Sequence, residues 1–238
     1  VGDEPNNLAI SPNGQTVYVA NTVSGSVTVI NAVTQKIIGN LIVGTEPYGL
    51  ALTPNGSKLY VTNARSNNVS VIDTAALRVV RTITGVGDEP RGIAITSDGD
   101  SDDLDEKVYV AQFNAVDVPG VLIGADNYKE GQITVISSSN DRVVGEVVLP
   151  PMADTGFKSK GSALACKIKG ATDPTCTTNA ADGSFVTGAA PNSFNSIAIK
   201  NGRAYLPNNA ASADGPVRFN VNVQSLLNVI DTTTDKEG

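Results

Sequence analysis

Residues 44–63 read GTEPYGLALTPNGSKLYVTN, and residues 2–21 read GDEPNNLAISPNGQTVYVAN. The two stretches align without a gap: Pro5 on Pro47, Gly14 on Gly56, Tyr18 on Tyr60, Asn21 on Asn63 and, further along, Ile30 on Ile72, always 42 positions apart. A fixed period of this size marks a chain that uses one supersecondary unit repeatedly. Within the second unit stand four apolar runs of strand length, YGLALT, KLYVTN, NVSVID and RVVRTITG. They are rich in β-branched residues, and turn chemistry separates them. Asn55-Gly56 is a hairpin signal, NARSNN and DTAALR are polar loops, and GVGDEP links to the next unit.

Four antiparallel strands per 40-odd residues, repeated, predict the blades of a β-propeller. One such sheet buries little alone, but sheets packed face to face around an axis cover each other. The small residues Gly49 and Ala51 suit the crowded innermost strand. Arg78 and Arg81 suit the outer edge, where charge discourages pairing with other chains. The recurring Tyr18, Tyr60, Tyr109 and Tyr205 are expected to fill gaps between blades. Asn21, Asn63 and Asn208 are expected to bond turn backbone. The fold class is therefore all-β: four-stranded antiparallel blades at about 2–43, 44–86, 87–150 and 191–238, with an insertion at 151–190. A chain of about four blades is expected to form part of a seven-bladed ring, with two sheet faces left open; a self-closed four-bladed ring is the alternative.

Composition narrows the function classes. The net charge is −7, and the 17 Lys and Arg residues are scattered. This argues against nucleic acid, which needs a clustered basic footprint. No run of 18 apolar residues exists to insert in a membrane as a helix. There is no histidine. That removes Ser-His-Asp and Cys-His catalysis, His-ligated zinc, and haem held through a Cys-x-x-Cys-His motif in this segment. The two cysteines, Cys166 and Cys176, are too far apart for a Cys-x-x-Cys motif. A local disulfide in an exported protein and a pair of free thiols are the two readings, and the polar surroundings favour the disulfide. The chain opens and closes inside repeats, so it is expected to be a piece of a longer or processed protein.

The segments LYVTN and VSVID resemble the YVTN family of β-propeller repeats. The shared pattern is G-x-E-P-x-x-x-A-x-x-P-N-G-x-x-x-Y-V-x-N followed by V-x-V-I-[DN]. The first two units match throughout. The third has Gln112 where Asn is usual, and the fourth is looser, with Phe194 in place of Pro and Pro207 inside a strand. The resemblance implies a periplasmic or cell-surface protein and says little of activity, since propellers host many functions. The long insertions also resemble those of propellers in large bacterial proteins that carry cytochrome-peroxidase-like di-haem regions.

Insertions on a rigid scaffold are where binding residues concentrate. SDGDSDDLDEK (97–107) replaces a tight hairpin and brings together Asp98, Asp100, Asp102, Asp103, Asp105 and Glu106. Carboxylates at alternate positions can wrap a hard cation, so Asp98, Asp100, Asp102, Asp105 and Glu106 are candidate Ca²⁺ ligands. An EF-hand is excluded, because Asp103 stands at the required Gly and Tyr109 at the closing Glu. The competing reading is a solvated acidic tip, with Lys107 to offset the repulsion. The insertion at 113–131 is expected to pack on a blade face. The largest, 150–191, holds both cysteines and the lysines Lys158, Lys160, Lys167 and Lys169, which suit an acidic partner. VRFNVNVQ (217–224) alternates as an added strand. Arg91 follows Pro90 at the head of an inner strand, where earlier units have Asn6 and Tyr48, and is the candidate ligand-binding residue of the channel.

Two functions from different classes follow. One is an exported binding or scaffold module whose partner is another protein or the remaining blades of the same protein. The other is the non-haem propeller portion of a periplasmic oxidoreductase, or a lactonase-like hydrolase.

Overall fold

The computed structural model describes residues 1–100, 102–121, 128–156, 158–159, 178–179, 184–186, 188–211 and 223–238. These residues form strands and turns, with no helix among them. The first blade is β1 (Pro5–Ile10), β2 (Thr16–Asn21), β3 (Ser26–Asn31) and β4 (Lys36–Ile42), antiparallel in that order. The second repeats it with β5 (Pro47–Leu52), β6 (Lys58–Asn63), β7 (Asn68–Asp73) and β8 (Arg78–Thr84).

The third blade is β9 (Pro90–Ile95), β10 (Lys107–Gln112), β12 (Lys129–Ser137) and β13 (Arg142–Leu149), extended by β11 (Val116–Asp117), which pairs with β12. The described part of the 113–131 insertion therefore prolongs a hairpin in the sheet, rather than lying on a blade face. Three short strands, β14 (Lys158–Ser159), β15 (Thr178–Asn179) and β16 (Ser184–Val186), form a small sheet of their own. The fourth blade is β17 (Ala190–Asn192) and β18 (Ala198–Lys200) on β19 (Arg203–Ala211), then β20 (Val223–Asp231) and β21 (Lys236–Glu237).

Alternation along each strand sends side chains to two faces, and the faces close pairwise. Tyr18, Val27 and Val29 of the first blade meet Leu59, Val61 and Ile72 of the second. The other face of the second blade, with Ala51, Tyr60, Val69 and Val71, meets Ile93, Val108 and Val110. The third meets the fourth through Tyr109, Ile133 and Val135 against Phe194, Ala204, Leu206 and Ile230. Gly131 makes room for the Phe194 ring: a Cβ there would lie 2.7 Å from two of its carbons. That accommodation explains Phe194 at a position held elsewhere by Pro.

Asn21 and Asn63 join a turn to their own sheet, whereas Asn208 does not bond turn backbone as expected: it donates to Leu206 O and Asn228 Oδ1 within its sheet. Asn63 accepts from Gly44 N at 3.1 Å and donates to Asn68 Oδ1 and Ser70 Oγ at 2.8 and 2.9 Å, fully buried. Asn21 does the same with Gly2 N, Ser26 and Thr28. In the third blade Gln112 donates to Asn114 O instead.

The tyrosines do more than fill space. The Tyr60 hydroxyl donates to Asp141 of the next blade at 2.6 Å, and Lys58 Nζ donates to the same carboxylate at 2.8 Å and to Ser138 O at 2.7 Å. One blade on, Tyr109 and Lys107 both bond Asp235. This latch between blades had no counterpart in the expectations drawn from sequence.

The ends of the array are open. Leu8, Ile10 and Ile37 lie 42 positions before Leu50, Leu52 and Val79, which pack against the first blade. With no neighbouring blade among the described residues, the three are 56%, 55% and 59% exposed. A closed four-bladed ring would bury them.

Candidate functional site

The residue after the inner-strand proline stands at the head of each inner strand, Asn6 in β1, Tyr48 in β5 and Arg91 in β9. Glu4, Glu46 and Glu89 precede these prolines in left-handed backbone conformation (φ 50°, 53° and 48°). Their carbonyls accept from Thr22 N, Ala64 N and Phe113 N, which fixes the entry of each inner strand. Glu46, Arg65, Glu89 and Arg91 then form a chain of charge, with contacts of 3.8, 3.4 and 3.7 Å.

Arg91 is the centre of this end. Its guanidinium lies 3.6 Å from the centroid of Phe113 and 5.2 Å from that of Tyr48, and it donates to Asn195 Oδ1 at 3.3 Å. Tyr48 also donates to Asn195, so the second, third and fourth blades converge on one spot. Arg91 Nε is buried with no acceptor. A guanidinium held flat against rings keeps its N–H fork oriented for a planar oxyanion. Sequence reasoning singled out Arg91 at the head of its strand but missed Tyr48 and Asn195 as its neighbours, although both stand in its column after the repeat is aligned. Phe113 arrives from the head of the insertion and had no such signal.

The acidic turn has a different geometry from a cation loop read off spacing alone. Asp98, Asp100 and Asp102 each accept the backbone N–H two residues on, at 3.0, 2.9 and 2.8 Å. Asp103, nearly buried, docks onto the second blade through Asn55 N and Ser57 Oγ. Glu106 is buried and accepts from Thr96 Oγ1 and Asp98 N. Lys107 does not offset the cluster, since its ammonium is turned to Asp235 and Thr232 O.

Carboxylate oxygens of Asp98, Asp105 and Glu106 still lie within 4.8 Å of one another, as do those of Asp100, Asp102 and Asp105. An all-oxygen donor set fits a hard cation such as Ca²⁺, with Asp105 common to both groups. The first group borders a hollow shared with Gly202, Thr232 and Thr233 of the fourth blade.

Cys166 and Cys176, the lysines Lys160, Lys167 and Lys169, and most of VRFNVNVQ lie outside the described residues. Lys158 is described only in its backbone, within β14.

The profile of the YNCE-like beta-propeller family matches residues 3–101. No curated protein matches the chain. Among solved structures, the Kuenenia stuttgartiensis hydrazine synthase superposes with a TM-score of 0.52 at 23% identity, covering 96% of this chain and 63% of that one. U3-55K gives 0.47 at 10% identity, over 97% of this chain and 62% of its own. The chain thus spans under two thirds of the length of each of these two structures. The repeat, the blade geometry, the family profile and the hydrazine synthase superposition make it a β-propeller array of about four blades, YNCE-like over residues 3–101.

Proposed function

We propose that the chain is a binding and scaffold module of an exported protein, completed by further blades or a protein partner, that takes an oxyanion-bearing ligand at the channel end around Arg91. The observation that carries this reading is the Arg91 stack: one partly exposed guanidinium fixed by two rings and Asn195 from three different blades, with Glu89 3.7 Å from it on the same strand end. Such a site binds and orients. Calorimetry with short peptides ending in Asp or Glu tests it. Binding is expected to weaken at least about tenfold in Arg91→Ala and in part in Tyr48→Ala, without change in fold. Heat that is the same for wild type and Arg91→Ala refutes the reading.

In the same proposal the acidic turn is a structural Ca²⁺ site, supported by the uncompensated convergence of Asp98, Asp105 and Glu106. Ca²⁺ at a hundred times its dissociation constant would stabilise the fold by about 2.7 kcal/mol. At this chain length that raises Tm by roughly 5–10 °C over the chelated protein. Asp105→Asn should abolish the rise, and identical melting curves with chelator and with Ca²⁺ exclude the site.

A second reading, a propeller portion of a larger redox enzyme, is supported by the hydrazine synthase likeness over 96% of this chain. A haem absorption band in the natural full-length protein would favour it. Metal-dependent lactone hydrolysis would favour the hydrolase instead.

A further inference from the structure

In every blade the hairpin from the third to the fourth strand ends on a residue in left-handed conformation: Gln35, Leu77, Asp141 and Asp235, with φ of 58°, 48°, 54° and 54°. In the third and fourth blades that residue is an aspartate, and the preceding blade grips it. Lys58 and Tyr60 hold Asp141, and Lys107 and Tyr109 hold Asp235. The fourth blade has the same two columns. Lys58 pairs with Asp73 and Tyr60 with Val71; correspondingly Arg203 pairs with Asp231 and Tyr205 with Val229.

Arg203 and Tyr205 point to the face opposite Ala204 and Leu206, which pack on the third blade. Arg203 is exposed and Tyr205 half-buried, and among the described residues neither side chain makes a hydrogen bond or ion pair. Beside them Leu227 is 59% exposed, whereas its equivalent Val69 is covered completely by the third blade.

We propose that this face of the fourth blade receives one further antiparallel four-stranded blade, whose outer hairpin carries an aspartate in the left-handed position, seated between Arg203 and Tyr205. Two interfaces already in the molecule share this construction, and the basic residue and phenol are complementary to a carboxylate. A second copy of this chain is a poor occupant, because its first blade offers neutral Gln35 there. The proposal deepens the scaffold reading and rests on it, but not on any ligand at Arg91.

The test uses the full chain and sedimentation velocity across a wide concentration range. Gln35→Asp supplies the missing carboxylate on the open first blade. Asp is tolerated in that turn, as Asp141 and Asp235 show. Head-to-tail association is expected to tighten at least about tenfold over wild type. Arg203→Ala or Tyr205→Phe should reverse the gain, Gln35→Lys with Arg203→Glu should restore it, and Arg91→Ala should leave it unchanged. No gain in Gln35→Asp, or an equal gain in the Arg203→Ala background, overturns the proposal. Loss of peptide binding at Arg91 with the gain intact would refute only the ligand reading.

Discussion

Gly49→Ala is expected to lower stability by about 3 kcal/mol, at the upper end of the range for overpacking, and Gly49→Val by more. A Cβ at Gly49 would sit 2.3 Å from Arg91 O and 2.8 Å from Ile93 Cγ2, against a backbone that cannot swing aside. The Thr62 hydroxyl accepts from Gly49 N at 2.8 Å and donates to Arg91 O at 2.9 Å, which pins the inner strands of two blades together. Parting them breaks that bridge and displaces Arg91 from its rings. For a chain of this length the loss corresponds to a fall in Tm of roughly 10 °C. Gly145→Ala is the control: nothing lies within 4 Å of its Cβ position, so it should be neutral or mildly stabilising. Thermal melts of the two variants decide the matter, and equal melting points would show that the inner strands are not in contact as described.

Asp141→Ala should cost about 3 kcal/mol by chemical denaturation. It strands the hydroxyl of the fully buried Tyr60 and leaves the Lys58 ammonium, whose side chain is 27% exposed, without its carboxylate. Asp141→Asn keeps an acceptor and a residue suited to the left-handed turn, so it should lose about half as much. The latch also sets an alkaline limit. Burial first, then the bonds to Asp141 and Asp235, push the phenols of Tyr60 and Tyr109 far above their ordinary value of 10.0. Unfolded tyrosines release protons near pH 10 while these stay protonated, so the native state then holds more protons than the unfolded chain. Their contribution is intact below pH 10 and declines as pH rises above it. The slope is up to about 1.4 kcal/mol per pH unit for each tyrosine. Tyr60→Phe with Tyr109→Phe should flatten the fall in stability between pH 10 and 12. A fall of unchanged steepness would mean that these phenols already ionise in the folded chain.

Much of the fold was legible because its information is local and repeated. Asn55-Gly56, Pro47 and the alternation of KLYVTN act over a few residues, and a shift of 42 positions shows them twice. Gly49 could be assigned to a crowded strand because it is small and Gly92 stands in the same column of the third unit. The latch was not legible. Lys58 and Asp141 are 83 positions apart, and the first interface lacks the pair, with Thr16 and Leu77 in those columns.

For the candidate sites the division is similar. The sequence by itself determined the blade, its period, the absence of histidine chemistry and the cluster of carboxylates, all of which depend on residue type and spacing along the chain. Only tertiary structure decided what those residues do. It turned Asp103 and Glu106 into buried struts, drew Lys107 away to the fourth blade, and laid Arg91 against Phe113 and Tyr48. The physical reason is that a charge settles where the whole arrangement offers the best partner, and that partner stands on another blade.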